Sequence, residues 1–246
     1  MVKAYHTVLL SLAAGLLGCT PVDESVIKKA GFSGEASAAT RLGTGKTLGE
    51  GSMVDLDPEI RAFLQIHGGA IRREASSYGI DWRLVLAIVK QESRFAEKAL
   101  SEKGAAGLMQ LMPKTGEEVA TQLSLQDLNR PEHNIKGGVH YFRKLYDLFA
   151  GVEEPDRTKL ALAAYNAGLG RVYDAQQVAE YLNEDPSTWK SVAEAFPLLS
   201  KRYYTLHRNI WPQEKPRSGW FGDSRETVAY VNKVIRNYED LRVALN

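Results

Sequence analysis

The stretch Gln91-Glu92-Ser93-Arg94-Phe95 closes a segment whose spacing predicts an amphipathic helix. The apolar face of that helix runs through Val85, Ile88 and Val89. Glu92 lies seven, four and three residues beyond them, so it continues the apolar face. The sequence therefore places a carboxyl group where an apolar side chain is expected.

Two effects act on that carboxyl group. Apolar surroundings disfavour its ionised form, and so does the negative end of the helix dipole near the C-terminus. Both raise the pKa of Glu92, and a glutamate that stays protonated near neutral pH suits a general acid. The alternative is a solvated glutamate at a helix end with no special role, and the position alone does not exclude it.

Composition limits the classes of function. The chain has 246 residues, of which 44% are hydrophobic and 25% charged, and its formal net charge is +1. These values are typical of a soluble globular protein of one large or two small domains, and they argue against a nucleic-acid partner. Five histidines and one cysteine show no metal-ligand spacing, so we expect no metal, no cofactor and no disulfide.

The single cysteine follows a segment of signal-peptide type. Lys3 precedes an apolar run over residues 8–17, and the run ends in Leu16-Leu17-Gly18-Cys19. This ending resembles the bacterial lipobox, which implies removal of residues 1–18 and lipidation of Cys19. An incidental or buried cysteine is the alternative. Several acyl chains would anchor the protein stably to a membrane, and Thr20 in place of an aspartate favours the outer membrane.

The segment after the cysteine is predicted to be a tether. Residues 20–54 are rich in Gly, Ser, Ala and Thr, and a flexible chain of this length spans about 30–35 Å on average. We therefore expect the lipidated cysteine and tether over residues 19–54, and the folded domain over residues 55–246. The tether would let that domain work at a distance from the membrane surface.

The folded part is predicted to be all-helical, with at most one small irregular hairpin. Asp57 caps a first helix that has Pro58 at its first position, Gly79 ends it, and Asp81 caps the helix of Glu92. Further helices are expected over residues 113–119, 133–149, 156–165, 169–182, 189–199 and 223–245.

Apolar spacing predicts which helix faces are buried. The first helix is expected to bury Phe63, Ile66, Ala70 and Ile71. The last helix is expected to bury a stripe formed by Val228, Val231, Val234, Ile235, Tyr238 and Leu241. Tyr230 lies at the edge of that stripe, so taken alone it is a candidate for the border of the core.

Three further motifs carry polar residues at helix ends or in loops. The loop from Ser101 to Gln110 contains glycines that let backbone approach a ligand, and an amide that suits sugar hydroxyl and acetamido groups. Ala164-Tyr165-Asn166-Ala167-Gly168 ends a helix in a polar pair, and Glu226-Thr227-Val228-Ala229-Tyr230-Val231 lies on the last helix. Each motif alone is equally compatible with a purely structural role.

In sequence order, E-S-x-F, S-x-x-G-A-x-G-L-M-Q, A-Y-N-A-G and E-T-x-x-Y-V resemble the soluble-lytic-transglycosylase family. That family belongs to the lysozyme-like superfamily, an α+β superfamily with a mostly helical domain. The resemblance covers roughly residues 70–240, and the short chain with its lipobox looks closer to the membrane-bound lipoprotein members. It implies cleavage of the MurNAc-β-1,4-GlcNAc bond of peptidoglycan, leaving a 1,6-anhydroMurNAc end.

The resemblance also implies roles for individual residues. Glu92 matches the catalytic acid and base, and Tyr230 matches a tyrosine near it. Ser101, Met109 and Gln110 belong to the second motif, whose positions lie near the N-acetyl groups of the substrate or near the catalytic carboxylate. The pair Tyr165 and Asn166 matches pocket residues. The implied partners are glycan strands and, through the lipid anchor, a membrane on the periplasmic face of the cell envelope.

Most glycosidases need two carboxylates beside the scissile bond. Glu97, Glu102, Glu117 and Glu118 lie nearby in sequence, but none falls at a position that the family uses as a nucleophile. The resemblance therefore implies one carboxyl group that acts twice, assisted by the 2-acetamido group of the substrate. Two alternatives stay open: a goose-type lysozyme-like hydrolase that uses water, and a peptidoglycan-binding lipoprotein without activity.

Overall fold

The computed structural model describes residues 56–245. The predictions of a signal peptide, a lipidated Cys19 and a tether concern residues outside this range. Within it, nine α-helices succeed one another: α1 Pro58–Ser77, α2 Trp82–Ser93, α3 Pro113–Leu123, α4 Pro131–Asp147, α5 Asp156–Ala167, α6 Leu169–Tyr181, α7 Trp189–Ala195, α8 Tyr204–Ile210 and α9 Ser224–Ala244. Two short 3-10 helices, Phe196–Leu199 and Lys201–Tyr203, lie between α7 and α8.

The predicted helix boundaries near the site are confirmed by their caps. The Asp57 carboxylate accepts a hydrogen bond from the backbone N–H of Glu59 at 2.9 Å, and Pro58 opens α1. The Asp81 carboxylate accepts in the same way from Arg83 at the start of α2. Gly79 has a φ of 63°, which explains why a glycine stands just beyond the end of α1.

The all-helical expectation is confirmed for the described residues, which contain no sheet. Two isolated bridges pair Ala106 with Leu100 and with Leu111, so the loop between α2 and α3 folds back on itself as an irregular hairpin. In the same range, no helix is long and apolar enough to cross a bilayer. Nor do three or more His, Cys, Asp or Glu side chains of residues 56–245 group as a metal site.

Two helices form the centre of the core. Residues 86–89 of α2 and residues 160–164 of α5 are fully buried. A helix that is apolar on several sides fits this central position, because neighbouring helices cover all of its faces. α2 packs against α9, and α9 also packs against α5. The last helix of the domain is thereby brought against the helix that carries Glu92.

Some helix predictions are wrong in detail. Ile66 was expected in the core, but 73% of its surface is exposed, because α1 buries the face of Phe63, Ala70 and Ile71. The helix predicted over residues 189–199 changes at Phe196 into a 3-10 helix that contains Pro197. Helix α8 was not predicted, since its residues show no strong apolar period.

Candidate active site

Glu92 lies in the last turn of α2, and as a whole residue it is neither fully buried nor fully exposed. The helix ends one residue later, and Arg94 takes the left-handed conformation with a φ of 50° as its cap. This early ending places Glu92 next to the irregular loop that contains the second motif. The sequence therefore puts an acid at the boundary between the core and that loop.

Tyr230 on α9 contacts this acid directly. Its hydroxyl donates a hydrogen bond to Oε1 of Glu92 at 2.6 Å, and only 6% of the Tyr230 surface is exposed. A buried tyrosine hydroxyl needs a hydrogen-bond partner, and here the partner is the carboxyl group. The prediction that Tyr230 lies near Glu92 is confirmed by this contact.

The electrostatics of Glu92 follow from its surroundings. Burial raises the pKa of Glu92 from 4.5 to about 7, and the hydrogen bond from Tyr230 acts in the opposite direction. The raised pKa expected from the apolar face is thus confirmed, with desolvation as its main cause. Among residues 56–245, no second carboxylate contributes to the shift.

Tyr165 is the second tyrosine of the site. Its hydroxyl donates to the backbone carbonyl of Met109 at 2.7 Å, which ties α5 to the loop of the second motif. Burial, together with the nearby charge of Glu92, raises the pKa of both Tyr165 and Tyr230 well above the ordinary value. Both hydroxyl groups therefore stay protonated and can act only as neutral hydrogen-bonding groups at neutral pH.

The loop residues predicted to bind substrate also hold the loop in shape. The Ser101 hydroxyl accepts from the backbone N–H of Ala105 at 2.9 Å. The side-chain amide of Gln110 donates to the carbonyls of Ala99 at 3.1 Å and Gly107 at 2.9 Å. Both side chains remain partly exposed, so they fix the loop while presenting a polar surface.

Met109 differs from the other loop candidates, because its side chain is fully buried. It packs so closely on Gly138 of α4 that a Cβ at that position would overlap it. The exposure of the whole residue is 0%, and its backbone N–H and carbonyl already bond to Asn134 and Tyr165, so the structure does not support the prediction that Met109 itself contacts substrate. Its side chain anchors the loop to α4.

Asn134 is a residue of the site region that the sequence did not single out. The side-chain oxygen of this buried asparagine on α4 accepts from the backbone N–H of Met109 at 2.8 Å. Its amide donates to the carbonyls of Ala106 at 3.0 Å and Leu128 at 3.2 Å. In the sequence Asn134 is only a polar residue next to the buried Ile135, and the groups it bonds lie too far along the chain for spacing to predict them.

Asn166 completes the set of predicted residues. It is exposed at the end of α5, and its side-chain oxygen accepts from the Thr227 hydroxyl at 2.9 Å. Thr227 is buried one turn before Tyr230, so α9 contacts two of the site motifs. The Tyr141 ring lies 5.5 Å from that of Tyr165 between centroids and adds a third tyrosine that the sequence did not point to.

Known proteins share the region of the chain that carries most of this site. Residues 69–187 match the family described as the transglycosylase SLT domain. Through this region the chain belongs to the transglycosylase SLT family. The match includes Glu92 and the second and third motifs, whereas Tyr230 lies beyond its end. The SLT domain thus accounts for all but α9 of the candidate site.

Relatives of the SLT domain are longer proteins. The chain is 37% identical over 174 residues to membrane-bound lytic murein transglycosylase F of Desulfosudis oleivorans, covering 70% of this chain and 35% of the relative. It therefore spans about a third of the length of that relative.

Two solved structures of lytic transglycosylases superpose on this chain. An inactive glutamate-to-glutamine mutant of the lytic transglycosylase Slt from Pseudomonas aeruginosa superposes with a TM-score of 0.52 at 28% identity, covering 75% of this chain and 25% of Slt. A 70-kDa soluble lytic transglycosylase in complex with bulgecin A superposes with a TM-score of 0.51 at 26% identity, with the same coverage. The expected lysozyme-like architecture is confirmed.

Proposed function

We propose that this protein is a peptidoglycan lytic transglycosylase that cleaves the MurNAc-β-1,4-GlcNAc bond and leaves a 1,6-anhydroMurNAc end. The observation that carries the proposal is the carboxyl group of Glu92, whose pKa is raised to about 7 and which accepts a hydrogen bond from Tyr230. The SLT family and the names of its relatives support the substrate class.

In the first step, protonated Glu92 donates its proton to the glycosidic oxygen as the C1–O bond breaks. A pKa near the working pH keeps enough of the acid protonated for this role. The leaving GlcNAc takes the proton, and the 2-acetamido group of the muramoyl residue stabilises the positive charge that develops at C1. The proposal needs no second carboxylate because the substrate supplies this group.

In the second step, ionised Glu92 removes the proton from the C6 hydroxyl of the same muramoyl residue. The C6 oxygen then bonds to C1, and Glu92 regains its proton. Because the attacking oxygen is already part of the substrate, its effective concentration is far above that of a second reactant in solution. The Tyr230 hydroxyl favours the ionised form of Glu92 between the two steps.

The remaining motif residues are proposed to bind the sugars. Ser101, Gln110 and Asn166 present partly or fully exposed polar side chains, and Tyr165 holds the backbone of Met109 beside them. Asn166 offers an amide donor, because its oxygen accepts from Thr227. These groups suit the hydroxyl and acetamido groups of the glycan.

Mass spectrometry of the products tests the proposal. Purified protein incubated with sacculi is expected to release muropeptides with anhydro ends. Hydrolysis by a goose-type mechanism would give reducing ends one water heavier, and reducing ends alone would overturn the transglycosylase reaction. If the protein binds sacculi and releases nothing, it is a binding lipoprotein without activity.

The cell envelope is the proposed location, with Cys19 as the lipid attachment site and residues 1–18 as a cleaved signal peptide. The motif around Cys19 and the membrane-bound relatives support this assignment. Mass spectrometry of the mature N-terminus is expected to find an acylated Cys19, and the Cys19→Ala variant is expected to leave the membrane fraction. An unmodified N-terminal segment would exclude the anchor.

A further inference from the structure

The turn that follows α2 has an unusual backbone conformation. Arg94 has a φ of 50° and Phe95 a φ of 66°, so two consecutive residues other than glycine are left-handed. In that conformation Cβ comes too close to the following carbonyl oxygen, and glycine is the usual residue at such a helix end. Phe95 also closes the E-S-x-F motif, but it takes no part in the proposed reaction. Strain of this kind persists where surrounding contacts stabilise it, and it is concentrated at functional sites.

Helix α1 supplies the contact that holds Phe95. The Phe95 ring lies 4.6 Å from the Phe63 ring between centroids, and the two planes are inclined by 31°. Phe63 is buried, with 6% of its surface exposed, and its ring also packs on the buried His67 ring at 4.8 Å. Aromatic pairs at this separation are favourable beyond the burial of their area. The pairing therefore offsets part of the cost of the left-handed backbone.

Glu92 and Phe95 would share one face if α2 continued. They are three residues apart, and residues at this spacing are neighbours on the surface of a helix. Helical side chains lean toward the N-terminus, so the Phe95 ring would then lie over the Glu92 carboxyl group. In the structure the two side chains diverge, because Glu92 contacts Tyr230 of α9 whereas Phe95 contacts Phe63 of α1. The left-handed turn thus carries an aromatic ring away from the acid.

The same turn leads the chain into the loop of the second motif. The backbone N–H of Ala96 donates to the carbonyl of Ser93 at 3.0 Å, and that of Ala99 donates to the carbonyl of Ala96 at 3.1 Å. The Ala99 carbonyl accepts from the N–H of Gly107 at 2.9 Å and from the side-chain amide of Gln110 at 3.1 Å. A short series of hydrogen bonds therefore connects the end of α2 to a residue that is proposed to bind substrate.

We propose that Phe95 and Phe63 are positioning residues for the reaction: their contact fixes the left-handed end of α2 and keeps the space beside the Glu92 carboxyl group free for the muramoyl residue. This inference rests on the proposed function, since it concerns the placement of the same acid. Neither ring needs to touch the substrate. The pair supplies the backbone conformation of residues 94 and 95, and the placement of Glu92 depends on that conformation.

Glycine separates this role from ordinary packing. Phe95→Ala and Phe95→Gly both remove the ring, but glycine adopts the left-handed conformation readily whereas alanine disfavours it. This preference corresponds to about tenfold in the population of the left-handed turn. A packing role predicts that alanine, which retains a methyl group, is tolerated at least as well as glycine. The positioning role predicts the reverse order of activity.

A variant of α1 tests the same contact from the other side. Phe63→Leu keeps an apolar side chain in the core but removes the partner ring, so Phe95 is free to move over the acid. Adding Phe95→Gly to Phe63→Leu should restore activity, whereas two losses of packing would add. Phe149→Leu is the matched control, because Phe149 is 4% exposed and packs on Tyr173 just beyond the end of α4. Circular dichroism and thermal unfolding set a temperature at which every variant is folded.

Initial rates of the full chain on sacculi give the first measurement. Phe95→Ala and Phe63→Leu should lower kcat about 10- to 100-fold, as expected when a reacting group is displaced by about 1 Å. Phe95→Tyr, which keeps the ring, and Phe149→Leu should match the parent, and Phe95→Gly should exceed Phe95→Ala about tenfold. The proposal is overturned if Phe95→Gly is no more active than Phe95→Ala, or if the double variant is less active than Phe63→Leu.

An NMR titration of the Glu92 carboxyl group separates this inference from the proposed function, because it needs no lytic activity. The midpoint should move in Phe95→Ala and Phe63→Leu, since the surroundings of the carboxyl group change, and should stay at the parent's value in Phe95→Gly. A parent that shows this pattern but releases nothing from sacculi would overturn the proposed function and leave the positioning role standing. An active parent whose midpoint is the same in all these variants would overturn the positioning role and leave the function standing.

Discussion

The Tyr230 hydroxyl lies 2.6 Å from Oε1 of Glu92, although 138 positions separate the two residues in sequence. This contact joins the second helix of the domain to the last. Two effects on this carboxyl group oppose each other. Burial raises its pKa, whereas the Tyr230 hydroxyl stabilises its ionised form and lowers the pKa. Such a balance suits a group that must first release a proton and then accept one.

Replacing the acid is expected to abolish activity. Glu92→Gln keeps the size of the side chain and removes the ionisable proton, so release of muropeptides should fall by about 10²–10⁴-fold, the usual contribution of general acid-base catalysis. The initial rate on sacculi measures this. Glu97→Gln is a useful control, since Glu97 pairs with His67 at 2.8 Å and takes no part in the proposed reaction. Full activity in Glu92→Gln would remove Glu92 from the mechanism.

The same variant should stabilise the protein in a pH-dependent way. The folded state holds the Glu92 proton up to about pH 7, whereas the unfolded chain releases it near 4.5. The ionised carboxyl therefore destabilises the folded state as the pH rises through this window. Glu92→Gln is expected to gain on the order of 3 kcal/mol relative to the parent between pH 4.5 and 8. Denaturant unfolding at several pH values measures the gain, and a pH-independent difference would contradict the assignment.

Activity should decline on the alkaline side of neutrality. The first step requires protonated Glu92, and the pKa of Glu92 is about 7, so the protonated fraction falls above that pH. We expect kcat/KM to drop about tenfold for each further pH unit. Rates measured from pH 5 to pH 9 test this. A rate that keeps rising to pH 9 would show that the ionised form is the active one.

Tyr230→Phe should shift this pH dependence. Removing the hydroxyl removes the hydrogen bond that lowers the pKa of Glu92, so the alkaline decline should move to higher pH. The rate at neutral pH should fall about 10- to 100-fold, because the ionised base loses a charge-assisted donor. Tyr238→Phe is the matched control, since the Tyr238 hydroxyl donates to Asp81 at the opposite end of α2. An unshifted profile in Tyr230→Phe would deny the hydroxyl any influence on the acid.

The loop before α3 should not tolerate a side chain at Gly107. This glycine has a φ of 81°, and a Cβ here would overlap the side-chain amide of Asn134. Gly107→Ala should therefore cost about 2 kcal/mol or more in unfolding free energy and lower activity by displacing Gln110. Gly69→Ala is the matched control, because its Cβ meets nothing within 4 Å and alanine favours a helix by about 0.5–1 kcal/mol. Thermal unfolding compares them, and equal stability would refute the packing argument.

Much of the domain follows from local sequence. The caps Asp57 and Asp81 and the end of α1 at Gly79 act on neighbouring backbone, so their residue types suffice to predict them. Helix α8 could not be predicted in this way, because its seven residues do not repeat apolar side chains at helical spacing. A helix this short is stabilised by its packing against the rest of the fold. Ile66 shows the same limit, since the apolar period is present but the neighbouring helices cover a different face.

The sequence by itself determined that Glu92 continues an apolar face and that three polar motifs follow it, because helical spacing is a local property. Only the tertiary structure decided which groups meet. It set Tyr230 on Glu92, directed the Asn134 amide into the loop and tied that loop to α5 through the Tyr165 hydroxyl. These contacts depend on how distant helices pack, and no local spacing encodes that packing.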